Sequence, residues 1–183
     1  MNLLFITGSA RADSITTRLC YIAASVMPSS SLTVIRPHEL NIQHCTGCGS
    51  CAVSGKCVID DDMHLVYQAV GESDVIVIAT PIYFSGPSSI IKQIIDRFQC
   101  VWSSDNMKGK KRTAALIAAG GQRSPVFSNT ISIAKAFAAT VGAGWAGELK
   151  VSNTDGMTDI PDEMVTEACS FGSKIVSKHF ERT

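Results

Sequence analysis

The sequence predicts an α/β fold, a doubly wound five-stranded parallel sheet with helices on both faces. Three observations carry this. Short apolar runs alternate with longer amphipathic ones, the pattern of βαβ units. The short runs are apolar throughout, as expected of strands covered by helices on both sides. Five such strands and five helices suit an open doubly wound sheet.

Each element has its own signal. Leu3 to Thr7 reads as a buried first strand. Ser14 to Met27 reads as a helix ended before Pro28. Leu32 to Arg36 is a second strand, closed by Pro37. Asp60 to Val70 is a helix whose acidic start complements the helix dipole. Asp74 to Thr80 (DVIVIAT) is the clearest strand, rich in β-branched residues and bounded by Pro81. Pro87 to Trp102 places Ile90, Ile91, Ile94, Ile95 and Phe98 at helical spacing. Thr113 to Ala119 is the fourth strand, Pro125 to Val141 a helix, and Trp145 to Val151 the fifth strand. Pro161 to His179 closes the chain as a helix, with Pro161 suited to its first turn.

Composition narrows the function. The 183 residues carry 16 basic and 16 acidic side chains, 45% are hydrophobic, and the pI is near 6.9. This length predicts a single domain over residues 1–183, with a cysteine-rich loop at 44–58. Balanced charge argues against a nucleic-acid partner held by a broad basic surface. No apolar run approaches the roughly 20 residues of a membrane span. The opening MNLLFITGSAR lacks the flanks of a signal peptide. A cytoplasmic, reducing setting is therefore expected. There, clustered thiols bind metal or do redox work more often than they form disulfides.

Open α/β sheets bind ligands beyond the carboxyl ends of their strands, so the segments there come first. After the first strand, Ser9, Ser14, Thr16 and Thr17 supply hydroxyls and Arg11 a guanidinium, where a strand turns into a helix N-terminus. This suits a phosphate monoester, although it is neither a P-loop nor a dinucleotide fingerprint. A hydroxyl-rich helix cap without a ligand is the bland alternative. After the third strand come Pro81, Ile82, Tyr83, Phe84, Ser85 and Gly86, which can lay ring and backbone against a flat heteroaromatic. After the fourth come Gly120, Gly121 and Gln122, whose backbone allows close approach to the edge of such a ring.

Seven cysteines are present, and Cys45, Cys48, Cys51 and Cys57 are spaced C-x2-C-x2-C-x5-C. Four thiolates are what a [4Fe–4S] cubane needs. Gly47, Gly49 and Gly55 remove side chains that would crowd it. Structural zinc, a disulfide and an unmetallated redox-active set remain alternatives. Cys20, Cys100 and Cys169 read as buried packing residues. Lys108, Lys110 and Lys111 read as a solvated turn. No Ser/His/Asp arrangement or paired carboxylate site is evident, so no catalytic side chain is assigned.

GSARADSITTR, ATPIYFSGP and GGQ together resemble the three FMN-binding loops of the flavodoxin-like NADPH-dependent FMN reductases. The cysteine run followed by VIDDDM resembles the iron–sulfur flavoproteins of that group. The resemblance covers most of residues 1 to about 130. It implies an FMN phosphate on Ser9, Arg11, Ser14, Thr16 and Thr17, and a ring between 81–86 and 120–122. It implies a cluster on Cys45, Cys48, Cys51 and Cys57. Ile15 departs from the polar residue common in relatives and leaves only its backbone N–H to the phosphate. The implied protein is an FMN-dependent oxidoreductase or electron-transfer flavoprotein, a homodimer or homotetramer, working with NAD(P)H, a quinone or a ferredoxin. An NAD(P)H-dependent FMN or quinone reductase without a cluster is one alternative. A non-enzymatic electron carrier or zinc-stabilised binding module is another.

Overall fold

The structure, a computed structural model, describes residues 1–104, 107 and 109–181. Among them the chain runs β1 (Asn2–Thr7), α1 (Ile15–Ser25), β2 (Ser31–Ile35), a 3-10 turn (Pro37–Glu39), α2 (Ser50–Ser54) and α3 (Met63–Glu72). It continues with β3 (Val75–Tyr83), β4 (Gly86–Pro87), α4 (Ser89–Arg97) and α5 (Gln99–Ser104). β5 (Arg112–Ala119), α6 (Ser128–Thr140), β6 (Ala143–Val151) and α7 (Asp162–Phe180) complete it.

Five strands pair in parallel in the order β2-β1-β3-β5-β6, and β4 adds a short antiparallel pairing to β3. The sheet is thus α/β and flavodoxin-like, with the chain leaving β1 in opposite directions toward β2 and β3. Successive strand side chains face opposite sides. Leu3, Phe5, Val75, Val77 and Ile117 pack with Leu19, Phe171 and Ile175 of α1 and α7. Leu4, Ile6, Ile76 and Ile78 pack on the other face with Val66, Ile91, Ile94, Phe98 and Phe137.

Several elements differ from expectation for physical reasons. Pro81 does not bound β3 but lies inside it, opposite Ala119. β1 has already ended there, its last pairing being Thr7 with Ala79. The proline therefore faces no neighbour that needs its N–H. The expected helix from Pro87 to Trp102 is two helices: Pro87 sits in β4, and the chain bends at Phe98. The bend lets Cys100 and Val101 bury alongside Phe98. The acidic start expected for a helix from Asp60 lies before α3, which begins at Met63. Asp61 and Asp62 instead accept backbone N–H groups of Gln43 and Asn41. In the lysine turn, Lys110 pairs with Asp74 at 3.0 Å. Lys108 lies outside the described residues. No helix among the described residues is long and apolar enough to cross a membrane.

Candidate functional site

Just past the carboxyl ends of β1, β3, β5 and β6 lies a cleft of about 810 Å³. Its floor beside β1 is polar. Ser14 caps α1: its hydroxyl accepts the Thr17 N–H at 3.2 Å and lies 3.0 Å from the Thr17 hydroxyl. The Ser9 hydroxyl accepts the Arg11 N–H at 3.3 Å. Ser9, Ser14, Thr16 and Thr17 are all buried, whereas Arg11 is exposed. Hydroxyls are thereby fixed around the positive end of α1, which favours an anion.

The wall beyond β3 is a hairpin between Tyr83 and Gly86. Phe84 and Ser85 at its tip hold φ of 48° and 62°, a left-handed conformation that non-glycine side chains seldom adopt. Such strain concentrates at binding sites. Tyr83 and Phe84 remain exposed although both are aromatic. The hairpin is anchored by Thr80, whose hydroxyl accepts the Ser88 N–H at 3.0 Å.

The wall beyond β5 rests on the segment after β6. The carbonyls of Gly120, Gly121 and Gln122 accept N–H groups of Thr154, Asp155 and Asn153 at 3.2, 3.4 and 2.8 Å. A Cβ on Gly121 would run into the Asp155 carboxylate, and one on Gly120 into the ring of Pro125.

Ser9, Arg11, Ser14, Ile15, Thr16, Pro81, Ile82, Tyr83, Phe84, Ser85, Gly121 and Gln122 line this one cleft. Thr17 does not, because its hydroxyl turns inward to Ser14 and the Arg11 carbonyl. Gly86 pairs with Tyr83 in the hairpin, and Gly120 is covered by Pro125. Sequence reasoning missed Ala119, Pro125, Val126 and residues 154–158, which also line the cleft. The signal for the last group was the turn-forming run Asn153-Thr154-Asp155-Gly156 after the fifth strand of the parallel path. Gly8 was also missed. A Cβ there would meet the side chains of Ile91 and Ser88.

The cysteine loop lies between the 3-10 turn and α3, and its short helix packs against α5. Gly47, Gly49 and Gly55 hold φ of 66°, 75° and 68° and bend it sharply. Cys48 is exposed, and Cys45, Cys51 and Cys57 are half-buried. The donor set is chemically right for a four-iron cluster. The arrangement differs from the expected one: among the described residues, no three His, Cys, Asp or Glu side chains gather as a metal-ready group. Of the four, only Cys51 lies in the short helix α2.

The environments of Cys48 and Cys20 push their thiols in opposite directions. The Cys48 hydrogen bond to the Ser50 hydroxyl and the Ser50 N–H lower its pKa from the ordinary value. Burial pushes the Cys20 thiol up. In metal-free protein, Cys48 is therefore expected to be alkylated by iodoacetamide well before Cys20. Peptide mapping of a time course checks the order, and early labelling of Cys20 would contradict the structure.

Residues 1–154 match the family model described as NADPH-dependent FMN reductase. An iron–sulfur flavoprotein of Archaeoglobus fulgidus is 30% identical over 178 residues, covering 96% of this chain and 79% of that one. An iron–sulfur flavoprotein of Methanosarcina thermophila is 28% identical over 134 residues, covering 72% of this chain and 69% of that one. Among solved structures, a flavone reductase aligns with a TM-score of 0.77 at 20% identity, over 99% of this chain and 64% of that one. A WrbA-like flavodoxin of Agrobacterium tumefaciens aligns with a TM-score of 0.65 at 15% identity, over 100% of this chain and 99% of its own. At these identities the structural likeness speaks for the fold.

Proposed function

This chain belongs to the NADPH-dependent FMN reductase family and is a flavin-dependent oxidoreductase, and from that premise we propose that FMN occupies the cleft beyond β1, β3 and β5. The observation that carries this is convergence: hydroxyls at a helix N-terminus, a strained aromatic hairpin and the Gly121–Gln122 turn meet in one cavity at the strand-order switch point. FMN, when bound, supplies the hydride-accepting chemistry for a reduced nicotinamide. The chain's own residues bind and orient. Ser9, Ser14 and Thr16, with the first N–H groups of α1, would hold the phosphate; Ser14 is already fixed by its bonds to Thr17, and Ser9 by the Arg11 N–H. Arg11 adds charge from the exposed rim. Tyr83 and Phe84 would cover one side of the ring and keep water from it. Gly121 leaves room at its edge. No side chain is assigned as acid or base.

Cys45, Cys48, Cys51 and Cys57 would hold a [4Fe–4S] cluster as a one-electron carrier. The names of the relatives and the four-thiol donor set support this. NAD(P)H as donor, a quinone or ferredoxin as partner, and a homodimer or homotetramer complete the reading. Exposed Tyr83, Phe84 and Trp102 are consistent with such an assembly. The thiol cluster fits a reducing cytoplasmic setting. A cluster-free NAD(P)H-dependent FMN or quinone reductase is the second reading. It is favoured by the ungathered thiols among the described residues.

Titrating flavin-free protein with FMN and with riboflavin, followed by flavin fluorescence, tests the phosphate site. FMN is expected to bind about 10- to 100-fold more tightly, the worth of charge-assisted hydrogen bonds. A Ser9→Ala, Thr16→Val double variant is expected to lose most of that difference. Equal affinity for the two flavins in the unaltered protein would overturn the assignment.

A further inference from the structure

The two stems of the cysteine loop are tied together by a buried ion pair whose cation comes from α4. Arg97, at the last turn of α4, is 1% exposed. One guanidinium nitrogen, Nη1, donates to the Gln43 carbonyl at 2.8 Å and to Asp61 Oδ2 at 2.5 Å. The other, Nη2, donates to Asp61 Oδ1 at 3.0 Å and to the Ile59 carbonyl at 3.5 Å. Asp61 in turn accepts the Gln43 N–H at 2.8 Å. One helical turn earlier, Gln93 Nε2 donates to the Ile42 carbonyl at 2.5 Å. Asn41 and Asp62 close the base with a pair of mutual bonds, Asn41 N–H to Asp62 Oδ2 at 2.7 Å and Asp62 N–H to the Asn41 carbonyl at 3.0 Å. Residues 41–43 and 59–62 are thus clasped, and the clustered cysteines all lie between them.

The same helix begins beside the cleft. Ser88, immediately before α4, is bonded to Thr80 of β3, and the Tyr83–Gly86 hairpin directly precedes it. The nine residues of α4 make a rod about 13–14 Å long. One end meets the ring side of the cleft and the other the base of the cysteine loop. A rigid element with polar side chains aimed at loop carbonyls fixes the position of that loop relative to the cleft. Nothing in the packing of α4 against the sheet requires a guanidinium. Its fork matches the carboxylate and two carbonyls on opposite stems.

We infer that Arg97 and Gln93 are positioning residues of the cysteine loop, holding its two stems closed against α4 at a set distance from the FMN cleft. Loss of either loosens the loop and weakens metal capture by its thiols without altering the flavin site. The metal part of this rests on the cluster reading above; the clasp itself does not.

The test uses the full chain, metal-free and reduced, as Gln93→Ala, Arg97→Lys and Arg97→Met. Amide hydrogen exchange at residues 41–62 is measured, with titration by Co(II) followed through thiolate-to-cobalt charge-transfer absorption. Exchange at Asn41 and Gln43 is expected to rise about tenfold or more in Gln93→Ala and Arg97→Lys, because local opening becomes easier. Co(II) is expected to bind about 10- to 100-fold more weakly, the usual effect of losing groups that orient metal ligands. FMN affinity and the unfolding midpoint of Gln93→Ala should stay unchanged, which a merely structural role would not combine with weaker cobalt binding. If Arg97→Met does not fold, Gln93→Ala and Arg97→Lys decide. Unchanged exchange and cobalt affinity in both would overturn the clasp. An unaltered protein that gives no charge-transfer band sinks the metal reading of the cysteines, while the exchange comparison still supports or overturns the clasp.

Discussion

Arg97→Met is expected to destabilise the protein by about 3–5 kcal/mol, because removing one partner of a buried ion pair strands the other charge. Asp61 has no exposed side-chain surface and Arg97 only 1%. Out of a typical stability of about 5–15 kcal/mol, this is a large share. Urea unfolding followed by tryptophan fluorescence measures it. Replacing both members with apolar residues of similar size should cost much less, since no charge is then left buried. Acid should reproduce part of the effect. Burial works against the Asp61 carboxylate, but Arg97 and the N–H groups of Gln43 and Met63 outweigh it and hold its pKa below the ordinary range. A carboxylate lowered in the folded state contributes stability above its unfolded pKa of about 3.9 and loses it as pH falls through the folded value. The gap between the unaltered chain and Arg97→Met should therefore narrow at strongly acidic pH. A gap that widens there would contradict the pair.

Gly8→Ala is expected to damage the proposed flavin site more than any single hydroxyl removal. Gly8 follows β1 directly, and its N–H donates to the Ala79 carbonyl at 2.7 Å. An added Cβ would fall within contact distance of Ile91 Cγ1 and Ser88 Oγ, both buried, with Thr80 Oγ1 at 3.1 Å. None of these is the free end of a long side chain. Either the chain at Gly8 lifts, carrying Ser9 out of the proposed phosphate site, or α4 shifts with the hairpin before it. Overpacking of this kind costs about 1–3 kcal/mol. FMN affinity should fall by about tenfold or more, since 1.4 kcal/mol is a factor of ten. Calorimetric titration with FMN measures it, and a variant that binds FMN as well as the unaltered chain would show that the close approach is not needed.

What could be read in the sequence follows from whether the signal was local. DVIVIAT is a strand by composition alone, and it is one, although Pro81 disguised where it ends. A proline closes a strand only where a neighbour needs its N–H, and the early end of β1 removes that need. The hydroxyl-rich loop, the aromatic hairpin and the glycine pair each stand at a strand end, so their meeting follows once the strand order is set. The segment at 153–158 was passed over because it carries no conspicuous chemistry of its own and matters through its backbone bonds to residues 120–122. Helix α2 was hidden within a run whose cysteine spacing dominated the reading. Asp61 looked like a helix-start acid, and its partner Arg97 lies 36 positions away with no local mark. Long-range pairing of this kind is set by topology, not by periodicity.

FMN in the cleft and a cluster on the cysteine loop are expected on one and the same chain. The visible absorption spectrum of anaerobically purified protein, with flavin, iron, zinc and sulfide content, addresses both directly. Flavin bands over a broad thiolate-to-iron absorption, with one FMN and about four irons per chain, is the predicted result. FMN without iron or sulfide under strict anaerobiosis would contradict the cluster, and zinc with no flavin would contradict the account as a whole.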